Sequence, residues 1–123
     1  MNSGRDSISV DTESHPVGFI VVRFTVGAIY PLRLVLNTGF VMTCLTLSAR
    51  DNLTAFGHLR DTGERFPVLH DLSLGGRPLA PLPVRVNAAV ARIAPEGMLG
   101  LNFLRQFREI HFDTETGRLT LRF

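Results

Sequence analysis

The sequence has few of the residues that form cross-links or metal clusters, and it has no basic run of the kind that binds nucleic acid. It contains one cysteine, Cys44, so no disulfide can form within the chain and the redox compartment is left open. Its 13 basic residues are all arginines, they are scattered along the chain, and the formal net charge is only +2. Such a charge pattern does not predict a nucleic-acid partner. The 4 histidines lie far apart without partners at ligand spacing, so we expect no metal site.

Long apolar runs and the common catalytic loops are also missing. No apolar stretch approaches the ~18–20 residues of a membrane helix. The N-terminus lacks the charged-then-apolar pattern of a signal peptide. We therefore expect a soluble chain without a membrane partner, and no compartment is indicated. Neither a Gly-x-Ser-x-Gly motif nor a glycine-rich phosphate loop occurs, and we expect no cofactor.

What remains is the composition of one small globular domain. The chain has 123 residues, of which 45% are hydrophobic and 20% charged. These values fit a single packed core and argue against disorder throughout the chain. Residues 1–16 are polar and end at a proline, which predicts a flexible N-terminal arm with a short strand over residues 8–11. Residues 17–123 form the predicted domain.

The pattern within the domain is typical of an all-β protein. Residues 17–26 and 29–36 are rich in β-branched and aromatic side chains, and turn signals recur about every 8–12 residues. The predicted hairpins turn at residues 62–63, 75–76 and 114–117, and residues 82–93 are predicted to be extended. Helical patterns are short: a turn capped by Ser48, and a helix at Asn102–Phe107.

Two segments give the chain a family resemblance. "LRLVLNTGF" is an apolar strand that ends in Asn37-Thr38-Gly39, and "GMLGLNFLRQF" follows about sixty residues later, before a terminal hairpin. In this order they resemble the retropepsin-like aspartic proteases. The matching residues are Leu36, Thr38, Gly39, Phe40, Leu45, Thr46 and Leu47, then Met98, Leu99, Gly100, Asn102, Phe103, Leu104, Phe107, Asp113, Gly117, Arg118, Leu119, Thr120 and Leu121.

This resemblance implies a small acid-protease barrel that forms a homodimer and cleaves an extended polypeptide. Each subunit would supply one triplet at the two-fold axis, with Asn37 at the position of the catalytic aspartate, Thr38 supporting the paired loops and Gly39 allowing close backbone approach. A flap, a hairpin that closes over substrate, is implied near residues 60–64. The predicted substrate-binding residues are Phe40, Arg60, Asp61, Thr62, Gly63 and Ile93.

A second triplet, Asp61-Thr62-Gly63, also matches the catalytic motif by composition. It lacks an apolar approach strand, because Arg60 precedes it and Glu64 follows it. Asp at the start of a turn and Gly at a position with positive φ are ordinary turn chemistry. We therefore interpret Asp61-Thr62-Gly63 as the flap tip and Asn37 as the catalytic position.

An asparagine at that position cannot perform the family's reaction, because its amide has no basic oxygen and no proton to relay. Two explanations stay open. Either a native aspartate was changed to Asn37, or the natural protein is a pseudoprotease that acts as a peptide-binding or dimerisation module. The retained Thr-Gly pair and flap turn favour the first. A structural β domain unrelated to proteases is the third alternative.

Overall fold

A computed structural model describes residues 6–14, 18–92 and 94–123, which lie mostly in or between short β-strands. The first seven strands are β1 (Ser7–Asp11), β2 (Glu13–Ser14), β3 (Ile20–Val26), β4 (Tyr30–Leu36), β5 (Cys44–Leu45), β6 (Leu59–Arg60) and β7 (Val68–Leu69). The other seven are β8 (Leu72–Leu74), β9 (Arg77–Pro78), β10 (Leu82–Pro83), β11 (Arg85–Val86), β12 (Gly97–Leu99), β13 (Glu109–Asp113) and β14 (Arg118–Arg122). The helices are α1 (Leu47–Ala55), a 3-10 helix (Ala88–Arg92) and α2 (Leu101–Leu104).

The largest sheet places β12 between β4 and β5. Its strand order is β11-β5-β12-β4-β3-β8-β9, with β2 paired to β3. Strand β12 runs parallel to β4, with Leu99 opposite Leu36, and antiparallel to β5, with Met98 opposite Cys44. The chain between β4 and β5 must therefore pass around the end of β12, and this loop, residues 37–43, carries the Asn37 triplet.

The core forms because β3 and β4 bury apolar side chains along one face, and bury Val21 and Val35 on the other. Phe24 and Leu34 are fully buried, and the Phe24 ring meets the Phe103 ring edge-on with centroids 5.4 Å apart. Each such large side chain, when fully buried, contributes roughly 1.5–3 kcal/mol of transfer free energy. A second, smaller cluster lies next to the triplet loop and consists of Val21, Val35, Cys44, Val90, Ala94 and Met98, with Phe19 and Phe40 packed against it.

A separate sheet joins the two ends of the chain, in the order β1-β14-β13. Strand β1 pairs with β14 along its whole length, and Ile8 is 4% exposed. The short strand expected within residues 1–16 is thus present. The boundary between arm and domain stays a prediction.

Several predicted elements are confirmed. Strands β6 and β7 pair as a hairpin, and β8 and β9 are joined by Gly75-Gly76, which both have positive φ. Strands β13 and β14 form the terminal hairpin, with its turn closed by a hydrogen bond from the Gly117 N–H to the Asp113 oxygen. The mostly β class is confirmed, whereas closure into a barrel and homodimerisation stay predictions.

Three local predictions need correction. Helix α1 is capped by Thr46, whose Oγ1 accepts the Ala49 N–H at 3.2 Å, and Ser48 lies inside the helix. The extended segment predicted over residues 82–93 breaks after β11 into the 3-10 helix, because the small residues at 88–91 pack Val90 into the smaller cluster. The C-terminal helix spans Leu101–Leu104, beginning and ending earlier than expected. No helix in the described ranges is long and apolar enough to cross a membrane.

Candidate active site

The Asn37 triplet lies at the end of β4, where neighbouring β12 holds its backbone. The Asn37 N–H donates to the Leu99 oxygen at 3.0 Å, which continues the parallel pairing one residue past β4. The Asn37 carbonyl accepts the Phe40 N–H at 3.3 Å and closes a turn. Asn37 thus directly follows the apolar strand β4 and is itself half-buried.

The Asn37 side chain is oriented from within its own turn. Its Oδ1 accepts the Gly39 N–H at 2.8 Å, and its Nδ2 lies 3.5 Å from the Met98 sulfur. A Cβ at position 39 would stand 3.1 Å from Oδ1, so the glycine lets the backbone come close to the amide. The main orienting hydrogen bond uses an acceptor oxygen, which a carboxylate also has.

Asn102 fixes the far end of the same loop. Its Oδ1 accepts hydrogen bonds from the Thr43 N–H and from Thr43 Oγ1, both at 2.8 Å, and its Nδ2 donates to the Pro83 oxygen at 2.7 Å. Thr43 is fully buried, and its Oγ1 also accepts the Gly100 N–H at 3.0 Å. This network joins the loop, α2 and β10.

Gly100 packs directly against the backbone of Met42 in the triplet loop. A Cβ at position 100 would lie 2.6 Å from the Met42 carbonyl carbon, closer than backbone atoms allow. Just beyond it, the first two amides of α2 donate to the loop: Leu101 N–H to the Phe40 oxygen at 2.8 Å and Asn102 N–H to the Val41 oxygen at 2.9 Å. The glycine therefore permits direct backbone contact between the triplet loop and the start of α2.

A cavity of 260 Å³ opens beside the triplet. It is lined by Gly39, Phe40, Val41, Met42, Cys44, Arg85 and Asn87. Burial raises the pKa of the Cys44 thiol, and the nearby Arg85 charge opposes part of that shift. No carboxylate lines this cavity, and the part of the chain that the structure describes has no group of three His, Cys, Asp or Glu placed to hold a metal.

The second triplet adopts the turn expected of it. The Gly63 N–H donates to Asp61 Oδ1 at 3.0 Å, and Gly63 has a φ of 82°. Both residues and Thr62 are exposed, between strands β6 and β7. The predicted turn geometry is therefore present. A role of this hairpin as a flap stays a prediction.

The predicted site residues fall into two groups in the single chain. Phe40 lines the cavity at the triplet, and Thr38 is exposed. Asp61 lines a different cavity, with Glu64 and Arg65. The Arg60 guanidinium is held by the Gly57 oxygen at 2.9 Å, and Ile93 lies outside the described residues.

Arg85, Asn87 and Cys44 were not predicted as site residues. The alternation of "PVRV" does indicate that Arg85 points away from its buried neighbour Val84. No local pattern indicates that this face meets the triplet. That contact depends on β11 pairing parallel with β5, with Arg85 opposite Cys44.

Comparison with known proteins identifies the fold. No protein-family model and no curated protein matches the sequence. The structure is similar to the crystal structure of a retropepsin-like aspartic protease from Rickettsia conorii, with a TM-score of 0.61 and 15% sequence identity, over 95% of this chain and 91% of that chain. The chain therefore has a retropepsin-like fold.

Proposed function

We propose that the chain is an aspartic endopeptidase of the retropepsin type, which Asn37 makes inactive as the sequence stands. The observation that carries this proposal is the triplet itself, held at the end of β4 with the Gly39 N–H on the Asn37 oxygen. A loop that fixes an acceptor oxygen in this way would fix a carboxylate oxygen equally well. The similar fold of a known retropepsin-like protease supports the same reading.

The proposed working form is a homodimer, because one chain supplies one triplet. At a two-fold axis the same residue of each subunit meets its copy. Thr38 supports this arrangement, since it is exposed and forms no hydrogen bond with any other residue of the described ranges. We propose that the flap hairpin with Asp61–Gly63 closes over an extended peptide, which binds by adding a strand.

With aspartate at position 37, the two facing carboxylates would share one proton, because two like charges held close cannot both be ionised. The ionised one takes a proton from water as the water attacks the peptide carbonyl. The protonated one donates to the carbonyl oxygen. The Asn37 amide can do neither, so the Asn37 form would bind peptide without cleaving it.

One observation favours the second candidate, a natural pseudoprotease that binds peptides or dimerises. The Asn37 Nδ2 points at the Met98 sulfur at 3.5 Å, a weak donor contact that a carboxylate oxygen cannot make. Both ends of the amide therefore have a neighbour suited to them. In this candidate the groove is retained and the chemistry is not.

A cleavage assay on three forms separates these candidates. The Asn37 form, Asn37→Asp and Asn37→Ala are incubated with a peptide library from pH 3 to pH 7, and the products are identified by mass spectrometry. We expect cleavage by Asn37→Asp alone, with a maximum in the acid range where the dyad carries one proton. Folded Asn37→Asp that binds peptides but cleaves none would instead support the pseudoprotease.

The same assay tests the second triplet. Asp61→Asn in the Asn37→Asp background should keep most of the activity, because the Asp61 oxygen is engaged in its own turn. Cleavage by the Asn37 form, abolished by Asp61→Asn, would overturn the assignment of the catalytic position.

A further inference from the structure

The cavity beside the triplet carries one formal charge. Of its lining residues, Arg85 is the only ionisable group that is charged at neutral pH, and the rest are apolar or neutral. The Cys44 thiol adds no charge there, because burial raises its pKa above the ordinary value. The cavity is therefore electropositive at its Arg85 side.

Arg85 differs from many arginines of this chain in having no acidic partner. Arg33 pairs with Glu13 at 3.2 Å, and Arg118 pairs with Asp11 at 2.9 Å. The Arg85 guanidinium makes no ion pair or hydrogen bond with any residue within 6–14, 18–92 or 94–123. Its five N–H donors are available to a ligand.

The backbone fixes where this arginine stands. The Arg85 N–H donates to the Thr43 oxygen at 2.9 Å, and β11 sets Arg85 opposite Cys44. Two residues on, Asn87 uses its Oδ1 to accept the Ala89 N–H at 2.9 Å, which leaves its Nδ2 as a further donor on the same cavity. Two donor groups thus line a space whose remaining surface is Gly39, Phe40, Val41, Met42 and Cys44.

We propose that this cavity binds a carboxylate of the substrate peptide, and that Arg85 is a specificity-determining residue. The inference rests on the proposed function, because it takes the triplet as the point where the peptide lies. An apolar wall suits the aliphatic part of an acidic side chain. A guanidinium suits its carboxylate, with which it forms two parallel charge-assisted hydrogen bonds.

The carboxylate has two sources in a peptide, a Glu or Asp side chain and the chain terminus. Acetylated, amidated octapeptides with Glu placed at each position in turn carry only the side-chain source. The same peptides with Gln are the neutral controls, and Gln peptides with a free C-terminus carry only the terminal source. Each peptide includes one tryptophan, because the protein has none, so its fluorescence anisotropy reports binding without an added dye.

The experiment uses the Asn37 form of the protein, so that binding is measured without cleavage. We expect one Glu position to bind about fivefold more tightly than its Gln control, as a partly exposed ion pair worth about 1 kcal/mol predicts. The difference should shrink in 0.5 M salt, because screening weakens exposed pairs.

Three variants assign the effect to the residue. Arg85→Gln should remove the preference, and Arg85→Glu should reverse it in favour of a peptide with Lys at that position. Arg105→Gln is the matched control: it removes the same charge from an exposed arginine that does not line the cavity. It should keep the fivefold difference.

The outcomes are distinct. A preference for Glu, or for a free C-terminus, that is lost in Arg85→Gln supports the proposal and names the source. Peptide binding with equal affinities for Glu and Gln peptides, or a preference that survives Arg85→Gln, overturns the proposal while the proposed function stands. If no peptide binds, the proposed function falls and this proposal falls with it.

Discussion

Asn102 joins three segments of the candidate site through one side-chain amide. Its oxygen accepts hydrogen bonds from the Thr43 N–H and the Thr43 hydroxyl, and its nitrogen donates to the Pro83 oxygen. Thr43 is fully buried, so water cannot replace the two bonds to Thr43, whereas the bond to Pro83 is exposed. At the scale of single residues, the position of the triplet loop depends on this amide.

We predict that Asn102→Ala lowers the free energy of unfolding by about 2 kcal/mol. The substitution leaves the buried Thr43 hydrogens without partners, and each unmade buried hydrogen bond costs roughly 1–3 kcal/mol, while water can reach the exposed Pro83 oxygen. Chemical denaturation followed by circular dichroism measures the change.

Asn52→Ala serves as the control for this change. Asn52 is exposed on α1, and its contact to the Tyr30 hydroxyl is long at 3.4 Å. We expect its effect to stay within roughly 0.5 kcal/mol, as for other exposed positions. Equal effects of the two substitutions would contradict a structural role for Asn102.

The elements of this fold are short, so their ends determine where they lie. Helix α1 has nine residues, too few to be stable alone in water. Its start is set by Thr46, which is 4% exposed and caps the Ala49 N–H. Since β5 ends immediately before Thr46, the same cap also fixes the strand next to the triplet cavity.

Comparing two hydroxyls at the start of α1 tests this assignment. We predict that Thr46→Ala costs about 1 kcal/mol of stability, as lost N-caps do, and that Thr46→Ser recovers most of it. Ser48→Ala should change stability little, because Ser48 is exposed within the helix. Thermal denaturation of the three variants measures these changes in stability. A larger loss of stability in Ser48→Ala than in Thr46→Ala would show that Ser48 is the N-cap, as the sequence predicts.

At the scale of the whole molecule, the proposed activity needs a second copy of the chain. The exposed side of the triplet loop, with Thr38, is the surface that would meet it. An isologous contact at this point places every substituted residue opposite its own copy. The proposed dimer would therefore be sensitive to a charge at position 38.

We predict that sedimentation velocity shows a mass that rises with concentration toward that of a dimer. Thr38→Glu should remain monomeric and folded, because two carboxylates would face each other at the axis. Thr114→Glu, in the exposed turn between β13 and β14, is the matched control and should dimerise normally. An unsubstituted chain that is monomeric at all concentrations would count against both protease-derived functions.

Local chemistry explains which elements could be predicted. Gly75-Gly76 and Gly63 adopt the positive φ that their turns require, and the alternation on either side of residues 114–117 marks the last hairpin. These signals act within a few residues of the chain. The break of residues 82–93 into two strands and a 3-10 helix was missed, because it depends on packing Val90 against a distant cluster.

The sequence by itself determined the mostly β class and the hairpin turns, since each follows from neighbouring residues, and it provided the basis for proposing Asn37-Thr38-Gly39 as the site. The tertiary structure alone decided what surrounds the triplet. Because β12 lies between β4 and β5, the Asn37 loop has to pass around its end. Because β11 pairs with β5, Arg85 lines the same cavity as Gly39. Those contacts join residues more than forty positions apart in the chain. The relative position of such residues is set by strand register and by close packing at glycine, and not by the local preferences of each segment.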